Sequence, residues 1–326
     1  MKNILVTGGA GYIGSHLLNQ LRSHPEFHPV VVDNLSTGKR ESVLHGELHV
    51  GDVADTDFMA TLFEKHNFAG VLHFAGSVVV PESVSDPLTY YENNTANTLK
   101  LLSLLARFKT PSLIFSSTAA VYGNLADGVA HENTPTNPES PYGRTKLMSE
   151  WMLQDMAHAL PDFSYIVLRY FNVAGASLDG RIGQSTPQAT HLLKVACETA
   201  VEKRSQMQIF GTDYPTKDGT CIRDFIHVDD LARAHIAALK YVLKEKKSQT
   251  LNCGYGHGHT VSEVISTVKK LSGRDFSVEL APRRPGDCGV VMSKADKIKA
   301  LLGWEPQHDS LDVIVKSALE WERKLK

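Results

Sequence analysis

No apolar run in this chain approaches the roughly 20 residues that a helix needs to cross a bilayer, so a membrane-spanning protein is not expected. The strand-like segment Lys2 to Thr7 stands where the charged and apolar regions of a signal peptide would be, so none is expected. Cysteine is scarce. Cys197, Cys221, Cys253 and Cys288 are far apart and show no metal-ligand spacing, which argues against a disulfide scaffold or a thiolate metal knuckle and fits reduced thiols in a cytoplasmic protein. An excess of one charge is also missing: 34 Lys and Arg face 36 Asp and Glu, a net charge of −2. There is no electrostatic footprint for nucleic acid or an anionic membrane. No internal repeat and no low-complexity tract is present. Histidine is frequent, but the closest pair, His257 and His259, has no third ligand at a useful spacing, so no metal site is expected.

What is present is a chain of 326 residues, 42% hydrophobic, long enough for a full core and about two domains. Short apolar runs at 3–7, 29–33, 47–50, 70–74, 112–116 and 164–170 alternate with helical patterns at 12–23, 55–66, 85–108 and 141–159. This alternation predicts an α/β fold, a doubly wound parallel sheet with helices on both faces. The stretch 123–140 reads as a loop from its Gly, Asn, Asp and Pro content. After residue 171 the pattern becomes irregular. A helix at 187–203, a strand at 207–210, a strand near 223–228, a helix at 229–245, a strand at 250–252, a helix capped by Thr260 or Ser262, a loop at 281–291 and a last helix at 310–325 are expected. The division is therefore 1–173 for a dinucleotide-binding domain and 174–326 for a smaller α/β lid, with elements near 222–253 returning to the first sheet. Open α/β sheets bind ligands at the carboxyl ends of their strands, which is where such a lid would sit.

The first strand runs into Gly8, Gly11 and Gly14 and then a helix. Strand, glycine turn and helix form the context in which a diphosphate meets a helix N-terminus. Asp33 ends the second strand, 19 residues after Gly14. A carboxylate there suits a ribose 2′-hydroxyl and repels a 2′-phosphate, so NAD is favoured over NADP. Further along, Tyr142 and Lys146 stand four apart after Ser140-Pro141, on one face of a helix. An ammonium beside a phenol favours the phenolate, so Lys146 is expected to pull the Tyr142 pKa down toward working range.

These segments together resemble the extended short-chain dehydrogenases/reductases. The likeness rests on Gly8-x-x-Gly11-Tyr12-Ile13-Gly14, Asp33-Asn34, Asp52-Val53, Phe74-Ala75-Gly76, Asn93, Ser116-Ser117-Thr118, Tyr142-x-x-x-Lys146 and Tyr170-Phe171-Asn172. It continues through Phe210-Gly211, Arg223-Asp224 and Arg283-Arg284-x-Gly286-Asp287, nearly the whole chain, and is nearest the nucleotide-sugar 4-epimerase branch. The resemblance implies a tightly bound NAD held by Gly8, Gly11, Tyr12, Ile13, Gly14, Asp33, Asn34, Asp52, Val53, Phe74, Ala75, Gly76, Asn93, Ser116, Lys146 and Tyr170. It implies Tyr142, Lys146 and Thr118 as the catalytic group. A UDP-sugar would contact Thr118, Tyr142, Phe171, Asn172, His191, Leu192, Phe210, Arg223, Arg284, Asp287 and Val291. UDP-glucose and UDP-galactose would interconvert through a 4-keto sugar, and a homodimer through the helices near 94–108 and 142–159 is implied.

Three departures bear on detail. Ser77-Val78 stands where many members place a cofactor-contacting lysine, Val291 where some have a bulky tyrosine, and His191 where some have asparagine. The smaller Val291 leaves room for an N-acetyl group, so UDP-N-acetylglucosamine stays open as a main substrate, as does UDP-xylose. Ala119 and Ala120 replace the Asp-Glu pair that a 4,6-dehydratase of this scaffold needs, which argues against dehydration. A non-catalytic NAD-sensing protein would be expected to lose the Tyr or the Lys, and both are present.

Overall fold

The structure is a computed structural model that describes residues 1–186, 189–284 and 287–325. Seven strands form one parallel sheet: β1 (Lys2–Thr7), β2 (Phe27–Asp33), β3 (Glu47–Val50), β4 (Phe68–His73), β5 (Ser112–Thr118), β6 (Ser164–Tyr170) and β7 (Gln249–Cys253), in the order β7-β6-β5-β4-β1-β2-β3. Their side chains alternate between two cores. Ile4 and Val6 of β1, Val31 of β2, Ile114 of β5 and Ile166 and Leu168 of β6 face one core. Leu5, Val30, Val32, Leu113, Phe115, Tyr165 and Val167 face the other. A sheet buried on both faces needs runs of apolar residues rather than alternation, which is why these strands read as continuous hydrophobic segments. Helices α1 (Tyr12–Leu21) and α6 (Val228–Glu245) cover the first face. Helices α2 (Thr56–Lys65), α3 (Asn97–Arg107) and α4 (Pro141–Ala159) cover the second.

The return of the late strand is seen directly: Gln249–Cys253 pairs in parallel with Ile166–Tyr170. The remaining elements include α5 (Leu192–Ala200), α7 (Val261–Ser272) and α8 (Leu311–Lys324). Thr260 caps α7 through a capping box with Glu263, which decides between the two expected caps. The helix expected from 187 begins at Leu192, and Pro187 lies outside the described residues, as does Gly286.

Three expectations need correction. The pattern at 85–108 predicts one helix, but Pro87 lacks the N–H that would continue it. Asp86 instead caps a new turn, accepting from Thr89 N–H at 3.4 Å. A π-helical turn over Tyr91–Ala96 then precedes α3. The 281–291 loop ends in a strand, Val290–Ser293, and the 123–140 loop contains one at Val129–Ala130. These short strands join Ile222–Arg223 and His259–Thr260 in a four-stranded sheet. Segments of two to four residues carry too little periodicity to stand out among turn residues.

Candidate active site

The glycine turn is set by contacts that a side chain would break. Gly8 has φ +71, and a Cβ there would lie 2.5 Å from the Ala75 amide nitrogen. A Cβ at Gly14 would lie 2.4 Å from the Gly8 carbonyl oxygen, so only glycine lets α1 start this close to β1. Among the described residues no side chain caps the α1 N-terminus, and no acidic residue lies in its first turn, so its positive end suits an anion. Beside it, Asp33 at the end of β2 accepts from the Ala10 N–H at 2.9 Å and the Leu35 N–H at 2.8 Å. These bonds fix the carboxylate and leave lone pairs for ribose hydroxyls. Asn34 donates to Asp52 at 2.8 Å, tying the β2 and β3 ends together. The uncapped helix end, the held carboxylate and the close glycine packing fit a dinucleotide.

Thr37, Lys39 and Ser42 line the same groove as Gly11 and Tyr12, and sequence reasoning did not single them out. Their signal was Gly38, which packs so closely on Ala10 that a Cβ would lie 2.7 Å from its backbone.

At the centre, β5 ends in Ser116, Ser117 and Thr118, and each meets a different partner. Lys146 Nζ donates to the Ser116 carbonyl at 3.1 Å. Ser116 Oγ donates to His235 Nε2 at 2.8 Å, because His235 Nδ1 gives its proton to the Leu231 carbonyl at 2.9 Å. Ser117 Oγ donates to Glu150 at 2.5 Å. Thr118 Oγ1 accepts from the Ala120 N–H at 3.1 Å and is near enough to Tyr142 to favour its phenolate.

Tyr142, Lys146 and Glu150 repeat every four residues on the buried face of α4, whose start is fixed by Ser140 Oγ accepting from the Gly143 N–H at 3.1 Å and by Pro141. Glu150 in turn holds Arg169 of β6, Nε at 3.1 Å and Nη2 at 2.5 Å. Glu150, Arg169 and His235 were missed from sequence. For Glu150 the signal was available: it is one more step of the same four-residue spacing.

The expected electrostatics of the pair are reversed. Burial pushes Tyr142 up to about 12, with Thr118 only partly opposing it. Burial also pulls Lys146 down to about 8, against the attraction of Glu150. In a water-excluded site desolvation outweighs the phenol–ammonium attraction, so Lys146 does not by itself bring the tyrosine into working range. His73 and His235 are both neutral at physiological pH, lowered by burial to about 3 and about 4. His73 therefore donates one proton, from Nε2 to Thr98 at 3.2 Å, and accepts from Thr7 at 2.6 Å. Thr98 passes its own proton to the Asn94 carbonyl at 2.5 Å.

The remaining expected cofactor residues are spread along the strand ends and α1. Val53 lies in the second core, and Ala75 packs against it. Phe74 packs against His235 with centroids 4.8 Å apart. Gly76 abuts the Asn94 side chain. Tyr170 is half-buried and packs against the first core, its ring 6.3 Å from that of His235. Ile13 packs against the first core, and Tyr12 donates to the Gly175 carbonyl at 2.6 Å. Asn93 donates to Ser77 Oγ at 2.8 Å, so the serine at the departure from the family pattern is engaged.

The expected substrate residues fall into two groups. Asn172, His191 and Leu192 line one concave surface, together with Gln184, Lys194 and Trp321, which were not expected. Phe210, Arg284 and Asp287 form a second group: the Arg284 guanidinium stacks on the Phe210 ring at 4.0 Å, and its Nε is 3.6 Å from Asp287. Arg223 is paired in register with Val291. Val291 packs against the small core of Val121, Tyr122, Ala130, Leu147 and Phe171, to which α4 contributes Leu147.

A doubly wound sheet with a buried Tyr-x-x-x-Lys beside a strand-end threonine defines a nucleotide-dependent oxidoreductase-type site. Residues 4–254 match the NAD dependent epimerase/dehydratase family, and the chain belongs to that family. It is 50% identical over 323 residues to the UDP-glucose 4-epimerase of Azospirillum brasilense, covering 99% of this chain and 92% of the relative. It is similar to the solved UDP-Glc/GlcNAc 4-epimerase of Campylobacter jejuni, with 49% identity, TM-score 0.88 and coverage of 99% and 100%. The UDP-glucose 4-epimerase of Brucella ovis, solved in complex with NAD, matches with 39% identity, TM-score 0.94 and coverage of 98% of each chain.

Proposed function

We propose that this chain interconverts UDP-glucose and UDP-galactose by reversible oxidation at C4 of the sugar. The observation that carries the reading is the meeting of Tyr142 and Lys146 on α4 with Thr118 at the end of β5, in a site closed to water. Tyr142 Oη takes the proton from the 4-hydroxyl and returns it after the ring has turned over. Thr118 Oγ1 shares that oxygen and positions it. Lys146 orients the cofactor ribose and supplies a fixed charge. NAD, when bound, supplies the hydride acceptor and donor and a positive ring that favours the phenolate. It would be held by Gly8, Gly11 and Gly14 at the phosphates, by Asp33, Asn34, Asp52 and Val53 around the adenosine, and by Ser116, Lys146 and Tyr170 toward the ring.

Arg223 and Arg284 bind the diphosphate, for which a guanidinium fork is suited. Asp287 meets a hydroxyl, while Phe171, Asn172, His191, Leu192 and Phe210 enclose the nucleotide and sugar. Purified protein given UDP-galactose and no added NAD should form UDP-glucose. Turnover that depends strictly on added NAD would overturn the captive cofactor, and no turnover at all would overturn the activity.

A second substrate has specific support. Val291 is small, packs against the cluster that contains Phe171, and is joined in register to Arg223. The Campylobacter jejuni relative is described as acting on both UDP-Glc and UDP-GlcNAc. Parallel assays with UDP-N-acetylglucosamine and UDP-xylose measure the preference. A homodimer completes the reading: Leu99 on α3 and Trp151 on α4 are 53% and 51% exposed, large apolar groups on the outer helical layer. Sedimentation of the protein should give twice the chain mass. The cytoplasm is the compartment that suits a chain with only four cysteines, far apart in the sequence.

A further inference from the structure

Far from the C4 chemistry, the edge of the sheet carries a group of ligating atoms that the proposed reaction does not use. Strand alternation sends Leu48 of β3 into the first core and places Glu47 and His49 together on the other face, toward α2. His66 follows α2 as its C-cap residue, with extended backbone (φ −120, ψ 126) and its N–H on the Leu62 carbonyl at 2.9 Å. Its ring is stacked on Phe68 at 5.6 Å and stands edge-on to His49 at 6.3 Å. This delivers three donor atoms to one point. A Glu47 carboxylate oxygen, one His49 ring nitrogen and one His66 ring nitrogen lie within 4.8 Å of one another.

Nε2 of His49 and Nε2 of His66 are shielded from solvent, and neither makes a hydrogen bond to a described residue. His49 Nε2 is only 3.0 Å from Glu47 Oε1, yet the oxygen lies outside hydrogen-bonding geometry. Close approach without mutual alignment is how two ligands of one cation stand. With metal–ligand bonds of about 2.0–2.1 Å, the edge of a tetrahedron is roughly 3.3 Å. A buried ring nitrogen without a partner otherwise costs on the order of 1–3 kcal/mol, and here there are two side by side.

A second triad, His227, Asp229 and His308, shows the contrast. There the atoms are committed. His227 Nδ1 accepts from the Asp229 N–H at 3.1 Å, and Asp229 Oδ1 is bonded to His16 at 2.6 Å.

We propose that Glu47, His49 and His66 bind a late first-row divalent cation of the zinc type, with the remaining position open to water. Two imidazoles and a carboxylate form the donor set such ions prefer, and calcium or magnesium would demand more oxygen. The cation pins the free edge of the sheet to the end of α2. His66 lies 17 residues after His49 and 19 after Glu47 and is joined to them only by the βα crossover, so no ligand motif is visible in the linear sequence. One group opposes binding: Lys65 Nζ is 3.4 Å from Glu47 Oε1. Its side chain is 60% exposed, and such a surface pair is weak enough to swing aside.

The test is calorimetric titration of untagged, chelator-treated, NAD-loaded protein with ZnCl2. One equivalent should bind, and His49→Gln and His66→Gln should each weaken it by at least about tenfold, the scale seen even for groups that only support a ligand. Lys65→Gln should tighten it several-fold, while His257→Gln should leave it unchanged. Both histidine variants are at partly exposed positions, and their melting without metal should match the parent. Co2+ loading gives an independent readout, a visible absorption of a four-coordinate ion that His66→Gln abolishes. Absence of stoichiometric binding overturns the proposal. So does binding that survives both histidine substitutions, which would place the cation elsewhere, for example at His257 and His259.

Discussion

The strand-end half of the candidate active site and the lid half are built on opposite plans. Around Tyr142, Lys146 and Thr118 the residues are buried, and their polar atoms have partners inside the protein. Across from them, Arg284 and Asn172 are exposed and His191 is at the surface. Arg284 lies over the Phe210 ring and approaches Asp287 at 3.6 Å. The difference follows from the work each half is proposed to do. A proton must move along one fixed line, which requires a rigid, dry surround. A diphosphate must be gripped while the sugar beyond it is free to turn over, which calls for charges on movable side chains. The cost of the first plan is visible in Tyr142, lifted to about 12, and Lys146, lowered to about 8.

The largest effect should come from the rigid half. Tyr142→Phe removes the proton carrier with little change in shape, and the turnover number should fall by about 10²–10⁴-fold. NAD should stay bound, as read by its absorbance in the purified protein. Near-normal turnover would mean that another group carries the proton, and the contrast between the halves would lose its chemical meaning.

Next is the support under that surface. Glu150 and Arg169 form a buried pair that also holds Ser117. Removing one partner leaves a charge unpaired in the interior, so Glu150→Ala should destabilise the fold by about 3–5 kcal/mol. Denaturant midpoints measure this. A loss below about 1 kcal/mol would show that the pair is not the strut that its burial suggests.

The mobile half should respond more mildly and in a different constant. Arg284→Ala removes a guanidinium held by stacking on Phe210 and a 3.6 Å approach to Asp287. Charged hydrogen bonds are worth about 1.5–3 kcal/mol, so KM for the UDP-sugar should rise about ten- to a hundredfold with stability unchanged. A drop in turnover number at constant KM would move Arg284 out of the binding role.

How much of this could be read in the sequence follows the same division. The alternating core strands, the glycine turn, Asp33 and the Tyr142–Lys146 pair were legible because periodic burial and fixed spacing are local signals. The lid strands at Val129–Ala130 and Val290–Ser293 were not, since a two-residue pairing is specified by the partner chain segments and not by its own pattern. The break at Pro87 was legible in principle, but the leucine-rich run after it masked it. His235 could not be found. It reaches Ser116 from a helix 119 residues away, and nothing in the local sequence of α6 announces it. The sign of the Tyr142 shift was missed for a related reason: spacing reports proximity to Lys146, whereas desolvation depends on everything packed around the pair.

That sign supplies the smallest and sharpest test. Lys146 titrates near 8 in the folded protein and near 10.4 when unfolded. Well below pH 8 both states hold the proton, and the folded state bears the whole penalty of a buried charge. Between about pH 8 and 10.4 the unfolded chain holds more protons than the folded one, so stability contributed by this group rises with pH, at most about 1.4 kcal/mol per pH unit. Tyr142 adds little over most of that window, because its folded pKa is raised and its own effect, a loss of stability, sets in only near pH 10, at the top of the range. Denaturant unfolding of the parent and of Lys146→Met from pH 7 to 10 isolates the lysine: the variant's stability curve should lack the rise. Parallel curves for the two proteins would mean that Lys146 keeps its charge at an ordinary pKa, and that the strand-end half is wetter than its packing implies.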